Sequence, residues 1–289
     1  IHTVNGGGWA EQNGVSHVYG GVSITVSGTG SVETVYGGGA SALSGGNALV
    51  DGSVTITVTG GNVERIFGGG YAPATGSSVV TGDVNISVSG GTVGRISSGG
   101  SGNATVGGNA TVTISGNAEI AGRVSGSGVN GTSTLILADY GGRDGSFRAE
   151  ITGFDALAFT GTTSVSLTAP GLNLSGVRNW QFSLAGRTDN TGAMLDWQNG
   201  TNDFTGDYVD LLLASEQAGL DSWLLLGTAS PSSVLAGIED AIFRVKVDNG
   251  PWYELRWNET IATGAFAGWG VGIDTDENGS TMLKFSSLA

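Results

Sequence analysis

The 289-residue chain has no cysteine, only 4 prolines, 2 methionines and 2 histidines, and just 12% charged residues. Without cysteine there is no disulfide framework, no thiolate metal site and no cysteine nucleophile. The 54 glycines follow no collagen period and come with little proline, so the chain is neither collagen-like nor a proline-rich coil. No apolar run approaches the ~20 residues of a membrane-spanning helix, and no signal peptide opens the sequence. Acids outnumber bases 25 to 11, for a formal net charge of −14, and no basic cluster is evident along the sequence. Such a surface repels phosphate backbones and anionic headgroups. Neither nucleic acid binding nor membrane insertion by this segment is expected.

What the chain does have is alternation. Hydrophobic residues make up 39% of it, and they recur at regular positions within a repeated phrase. Residues 54–70 read VTITVTGGNVERIFGGG and residues 84–100 read VNISVSGGTVGRISSGG. An earlier copy starts at Val22 (VSITVSGTGSVETVYGGG) and a weaker one at Ala110 (ATVTISGNAEIAGRV). Val22, Ile24 and Val26 align with Val54, Ile56 and Val58, then with Val84, Ile86 and Val88, then with Ala110, Val112 and Ile114. A period of two over five residues makes a strand with one buried face.

Glycine breaks lead into a second short strand at residues 32–36, 63–67 and 93–96, and a third stretch returns the chain at 48–52, 78–83 and 104–109. Three short strands per unit, with unit starts spaced 32, 30 and 26 residues apart, predict one solenoid turn per unit. Inward letters must then match the layers above and below, whereas outward letters meet only water. The glycines serve corners of positive φ, or places where neighbouring coils leave no room for a Cβ. A sandwich would use Asn-Gly or Asp-Gly hairpins within the repeats, and a propeller would need a longer period. The expected fold is therefore all-β: a right-handed parallel β-helix over residues 1–175 with a β-rich antiparallel-hairpin cap over 176–289.

Composition supports the division. Of the 54 glycines, 34 fall at or before Gly131, whereas six of the seven tryptophans fall at or after Trp180. Residues 133–138, 147–151 and 156–167 still alternate and read as looser coils. Beyond Leu174, residues 180–184, 194–197, 208–213 and 223–226 read as strands of a separate antiparallel region. Asp248-Asn249-Gly250 and residues 276–279 read as hairpin turns, and Ser230-Pro231 as the start of a short helix. A capping role places the tryptophans in a core.

Residues 80–100, VTGDVNISVSGGTVGRISSGG, followed by STLILADYGG and ITGFDALAFTGTTSVSLT, resemble passenger regions of Gram-negative autotransporters and related large surface adhesins. The resemblance implies export through the outer membrane and a β-helical passenger at the cell surface, acting in adhesion or self-association. No segment matches that family's membrane barrel, and no functional residue carries over.

Candidate chemistry is sparse. The repeat region holds Glu11, Glu33, Asp51, Glu64, Asp83 and Glu119 as acids and Arg65, Arg95 and Arg123 as bases. Arg65 and Arg95 occupy equivalent positions in successive units and read as surface residues at a turn. His2 and His17 have no acidic or histidine neighbour at metal-ligand spacing. No catalytic, cofactor-binding or metal residue is assigned, and an enzyme is not expected. Asp274, Asp276 and Asn278 match the opening of a calcium loop, but its twelfth position is Phe285 instead of Glu, and a hairpin turn explains the same letters.

The outward triplets Ser23/Thr25/Ser27, Thr55/Thr57/Thr59, Asn85/Ser87/Ser89 and Thr111/Thr113/Ser115 would stack into a hydroxyl array of the kind ice-binding solenoids use. Any exposed strand face carries the same residue types. Trp180, Trp197, Trp252, Trp257 and Trp269 offer either cap packing or a sugar-stacking platform.

The expected function is that of a non-enzymatic, extracellular surface protein: a structural or adhesive solenoid able to self-associate into fibres. The alternatives are a carbohydrate-binding or carbohydrate-active β-helix and an ice-binding solenoid. The expected partners are further copies of the chain or environmental glycans.

Overall fold

Alternation in the repeats becomes strand, and the strands stack in the register the sequence implies. The computed structural model describes residues 1–41, 45–73, 75–188, 192–219, 221–276 and 279–288. The chain is a β-solenoid of about 8 turns, 51% strand and 5% helix, with parallel stacked sheets. It divides into two compact units, Ile1–Ile136 with Arg148–Asp155, and Leu137–Phe147 with Ala156–Ala289.

In the first unit Val22–Val26, Val54–Val58, Val84–Val88 and Ala110–Gly116 lie parallel. Ile24 sits over Ile56, Ile56 over Ile86, and Ile86 over Val112, and the flanking valines align in the same way. Val54, Ile56 and Val58 are fully buried. Each such side chain contributes about 1.5–3 kcal/mol by leaving water, which a lone turn could not collect on its open faces.

The turns that start at Val22, Val54 and Val84 carry four strands, where three were expected. A complete turn runs through Val54–Val58, Asn62–Phe67, Tyr71–Ala72 and Ser77–Val80. The strand missed is the two-residue Tyr71–Ala72, stacked between Ala40–Ser41 and Ser101–Gly102. Two residues are too few to show a period, so nothing in the alternation announces it.

Glycine does both of its expected tasks. Gly61 and Gly91 turn the Gly-Gly corner at φ +85° and +78°. At Gly68 the difficulty is space, since a Cβ would lie 2.3 Å from the Ser98 carbonyl oxygen and 2.4 Å from Val84 Cγ1 of the next turn.

In the second unit parallel stacking persists well beyond residue 175, which corrects the expectation of a separate antiparallel region there. Ala156–Thr160, Asn179–Ser183, Tyr208–Leu213 and Ile242–Val247 pair in parallel, as do Val165–Leu167, Leu195–Asp196 and Ser222–Thr228. Alternation specifies which face a strand buries and says nothing of its direction.

Antiparallel pairing enters with the two expected hairpins. Ile242–Val247 pairs Trp252–Leu255, and Trp269–Thr275 pairs Thr281–Ser287, which in turn lies antiparallel to Ser222–Thr228. The expected short helix is Pro231–Val234, with proline in its first turn, although Ser230 makes no side-chain cap bond.

The core of this unit is aromatic. Trp180, Trp197, Trp223, Phe159, Phe182 and Phe204 are buried, with Trp180 stacked on Trp197 at 6.2 Å and tilted on Phe204 at 5.1 Å. Among the described residues no helix is long and apolar enough to cross a membrane.

Candidate functional site

The most distinctive polar feature of the first unit arises from a break in alternation. In Asn62–Phe67 the inward residues are Val63 and Ile66, three apart, so Glu64 and Arg65 both face outward before Phe67 does. The same step occurs at Val93-Gly94-Arg95-Ile96, and Ile120-Ala121-Gly122-Arg123-Val124 adds one bulged residue. Two outward residues in succession bend the strand and place its third or fourth residue on an outer corner.

Stacking then aligns those corners. Thr34 pairs Arg65, Arg65 pairs Arg95, Arg95 pairs Arg123 and Arg123 pairs Glu150, one residue per layer. Successive layers lie ~4.8 Å apart, so three guanidinium groups rise in a column. All three basic residues of the first 133 therefore share one ladder, in a chain of formal charge −14. The ladder thus adds Arg123 to Arg65 and Arg95, which the sequence already places at equivalent positions in successive units.

Arg65 is already committed. Its Nη2 donates to Glu33 Oε1 at 2.8 Å, and its Nε lies 3.6 Å from Glu64 Oε1. Arg95, which is exposed, and Arg123, which is half-buried, make no ion pair or hydrogen bond among the described residues. The Arg123 Nε is enclosed without an acceptor. Like charges in register are unfavourable unless something neutralises them.

Grooves flank the column on both sides. One, of about 560 Å³, has Gly94 and Gly122 in its floor and Glu64 and Glu150 in its walls. A Cβ on Gly94 would lie 2.5 Å from the Glu64 carbonyl oxygen, and one on Gly122 would lie 2.6 Å from that of Gly94, so the floor is bare backbone.

The other groove, of about 510 Å³, runs beside a second column two residues along the same strands. Tyr36 pairs Phe67, then Ser97, Ser125 and Thr152 follow, and this step from ring to hydroxyl opens the space. Tyr36 stacks on Phe67 at 5.1 Å, and burial raises the Tyr36 phenol pKa against the lowering pull of Arg65. Arg95 and Arg123 line both grooves.

The remaining sequence candidates fall elsewhere. His2 Nδ1 lies against the Glu33 carboxylate, and His17 Nε2 lies 3.4 Å from Asp51 Oδ2. Each histidine therefore has an acidic partner contributed by the next turn, which local spacing could not reveal. Among the described residues no group of three or more His, Cys, Asp or Glu side chains is placed to hold a metal ion. Asp274 Oδ2 accepts from Lys284 Nζ at 2.7 Å, which lowers the Asp274 pKa, and Asp276 Oδ1 accepts from the Ser280 amide at 2.8 Å. Asn278 lies outside the described residues, and Phe285, at the position of the bidentate ligand, is fully buried.

Two hydroxyl columns align as expected. Ser23, Thr55, Asn85 and Thr111 form one and Thr25, Thr57, Ser87 and Thr113 a second, whereas the third expected position, Ser27, Thr59, Ser89 and Ser115, lies beyond the paired residues. Of the five candidate platform tryptophans, Trp180 and Trp197 are fully buried and Trp269 nearly so. Trp257 is half-buried with its ring 6.0 Å from Phe243, and Trp252 alone is exposed. The platform is thus reduced to Trp252, beneath which Arg244 and Lys246 sit at 5.5 and 5.6 Å. Arg244 also covers Tyr208 at 4.2 Å while forking onto Asp210, both nitrogens at 2.6 Å from its carboxylate. Asp207 is buried, with Oδ1 taking Arg178 Nη1 at 3.1 Å and Oδ2 unpaired, and burial raises its pKa.

No family model, no curated protein and no solved structure matches this chain significantly.

Proposed function

We propose that the chain is a non-enzymatic surface protein, a structural and adhesive solenoid exported to the cell exterior in the manner of the autotransporter passengers its repeats resemble. The observation that carries this reading is the in-register column of Ile24, Ile56, Ile86 and Val112 with its flanking valines. Inward positions are held to aliphatic residues turn after turn, and the outward ones are left free for contact.

Self-association into fibres is part of the same proposal. Two measurements test the reading: immunolabelling of intact against permeabilised source cells, and sedimentation of the purified chain from micromolar to millimolar concentration. Surface labelling with concentration-dependent assembly supports it. Label seen only after permeabilisation refutes the surface location, and a strict monomer refutes the assembly.

Carbohydrate binding is a second reading, favoured by the open groove of about 510 Å³ with its hydroxyl, aromatic and guanidinium lining.

A further inference from the structure

We infer that Arg95 and Arg123 form a subsite for a single anionic group carried on a sugar, a carboxylate or a sulfate ester, with the sugar ring lodged between Phe67 and the Ser97–Ser125–Thr152 column. This deepens the carbohydrate-binding reading and rests on it.

Charge selects the anion. Two guanidinium groups one layer apart, neither in an ion pair or hydrogen bond among the described residues, form a positive spot in the first unit. Arginine presents parallel N–H donors that match the two oxygens of a carboxylate or sulfate. The same column limits how much charge is accepted. Glu64 and Glu33 stand at its Arg65 end and Glu150 beyond Arg123, so the positive stretch spans two layers, ~4.8 Å, before carboxylates resume. A long polyanion would run onto those carboxylates and into the field of a chain of net charge −14. One anionic group on an otherwise neutral body fits.

Shape and lining select the body. The groove on the hydroxyl side, about 510 Å³, is within the size range of small-molecule sites. Ser97, Ser125 and Thr152 stack at one residue per layer, offering donors and acceptors at a regular rise, and Phe67 closes the end as an aromatic wall. A sugar presents hydroxyls to the first and C–H faces to the second.

The test is titration of the full chain, followed by amide NMR, with methyl galacturonoside, its neutral methyl ester, N-acetylglucosamine 6-sulfate, unsulfated N-acetylglucosamine and sodium sulfate. Binding of either acidic sugar at least about tenfold tighter than its neutral counterpart is expected, since hydrogen bonds to charged groups discriminate on that scale. Which acid binds better identifies the source of the anion. Arg95→Gln with Arg123→Gln should remove this preference, whereas Arg148→Gln, outside the ladder, should keep it. The Gln variants must retain the parent's circular dichroism. Arg95→Lys with Arg123→Lys restores the charge without the fork and should recover the preference only in part. Phe67→Ser should weaken the acidic sugar and leave sulfate unchanged. Equal binding of acidic and neutral sugars would overturn the inference and leave carbohydrate binding standing. Sulfate binding as tightly as the acidic sugars would overturn the sugar assignment, and no binding by any sugar would remove both.

Discussion

Replacing Ile56 by alanine probes the stacked interior directly. Ile56 is fully buried and lies between Ile24 and Ile86 in adjacent turns. The substitution removes three carbon groups, about 2.4 kcal/mol at ~0.8 each. Because the layers above and below are held by their own ladders, the hole closes poorly, and the cavity raises the cost to about 3–4 kcal/mol. Thr55→Ala, one residue away on the exposed face, should cost within about 0.5 kcal/mol. Ile24→Ala should fall between the two, since Ile24 is 9% exposed and pairs with a neighbouring strand on one side only. Urea unfolding followed by far-UV circular dichroism gives the ranking. Local opening can occur in a stacked array, so exchange of the amides at residues 54–58 is measured alongside. Equal costs for Thr55→Ala and Ile56→Ala, or a cost below about 1 kcal/mol for Ile56→Ala, would refute the layered interior.

Three further outcomes follow from particular residues. Gly68→Ala should destabilise by at least about 1–3 kcal/mol, because its Cβ would meet the Ser98 carbonyl, and urea midpoints would show this. Asp210→Asn, which breaks the fork to Arg244, should cost about 1.5–3 kcal/mol in the same assay. Burial raises the Asp207 carboxyl above its unfolded pKa, so the folded chain holds more protons in the window between the two values. Stability should accordingly fall as pH rises through that window. Asp207→Asn should flatten this slope in unfolding midpoints measured from acid to neutral pH, and an unchanged slope would contradict the assignment.

The columns of the first unit were legible because inward residues must repeat when layers repeat. Val, Ile and Val at alternate positions gave both the strands and their partners. The two-residue strand Tyr71–Ala72 was not legible, being shorter than any period. Nor was the direction of Asn179–Ser183 or Tyr208–Leu213, since alternation is the same whether the neighbouring strand runs parallel or antiparallel.

The arginine ladder was half visible. Arg65 and Arg95 aligned by simple spacing, but the extra residue in Ile120-Ala121-Gly122-Arg123 displaced the third member. The signal that would have found it is the three-residue gap between apolar positions in Val63–Ile66 and Val93–Ile96, a departure from period two that turns the intervening arginine outward. The tryptophans were ambiguous because aromatic rings serve cores and platforms alike. Only the packing of Trp180 against Trp197 and Phe204 decides between them.

The stacking itself is open to a single chemical measurement, made simple by the absence of native cysteine. Thr55 and Asn85 are direct partners in neighbouring turns, ~4.8 Å apart, within disulfide reach. Thr55 and Ser87 are diagonal, about 7–8 Å apart in this register, but would become direct partners if the two strands ran antiparallel. Air oxidation of Thr55→Cys/Asn85→Cys should cross-link the monomer nearly completely while Thr55→Cys/Ser87→Cys stays reduced. The reverse pattern would show hairpins in place of stacked turns.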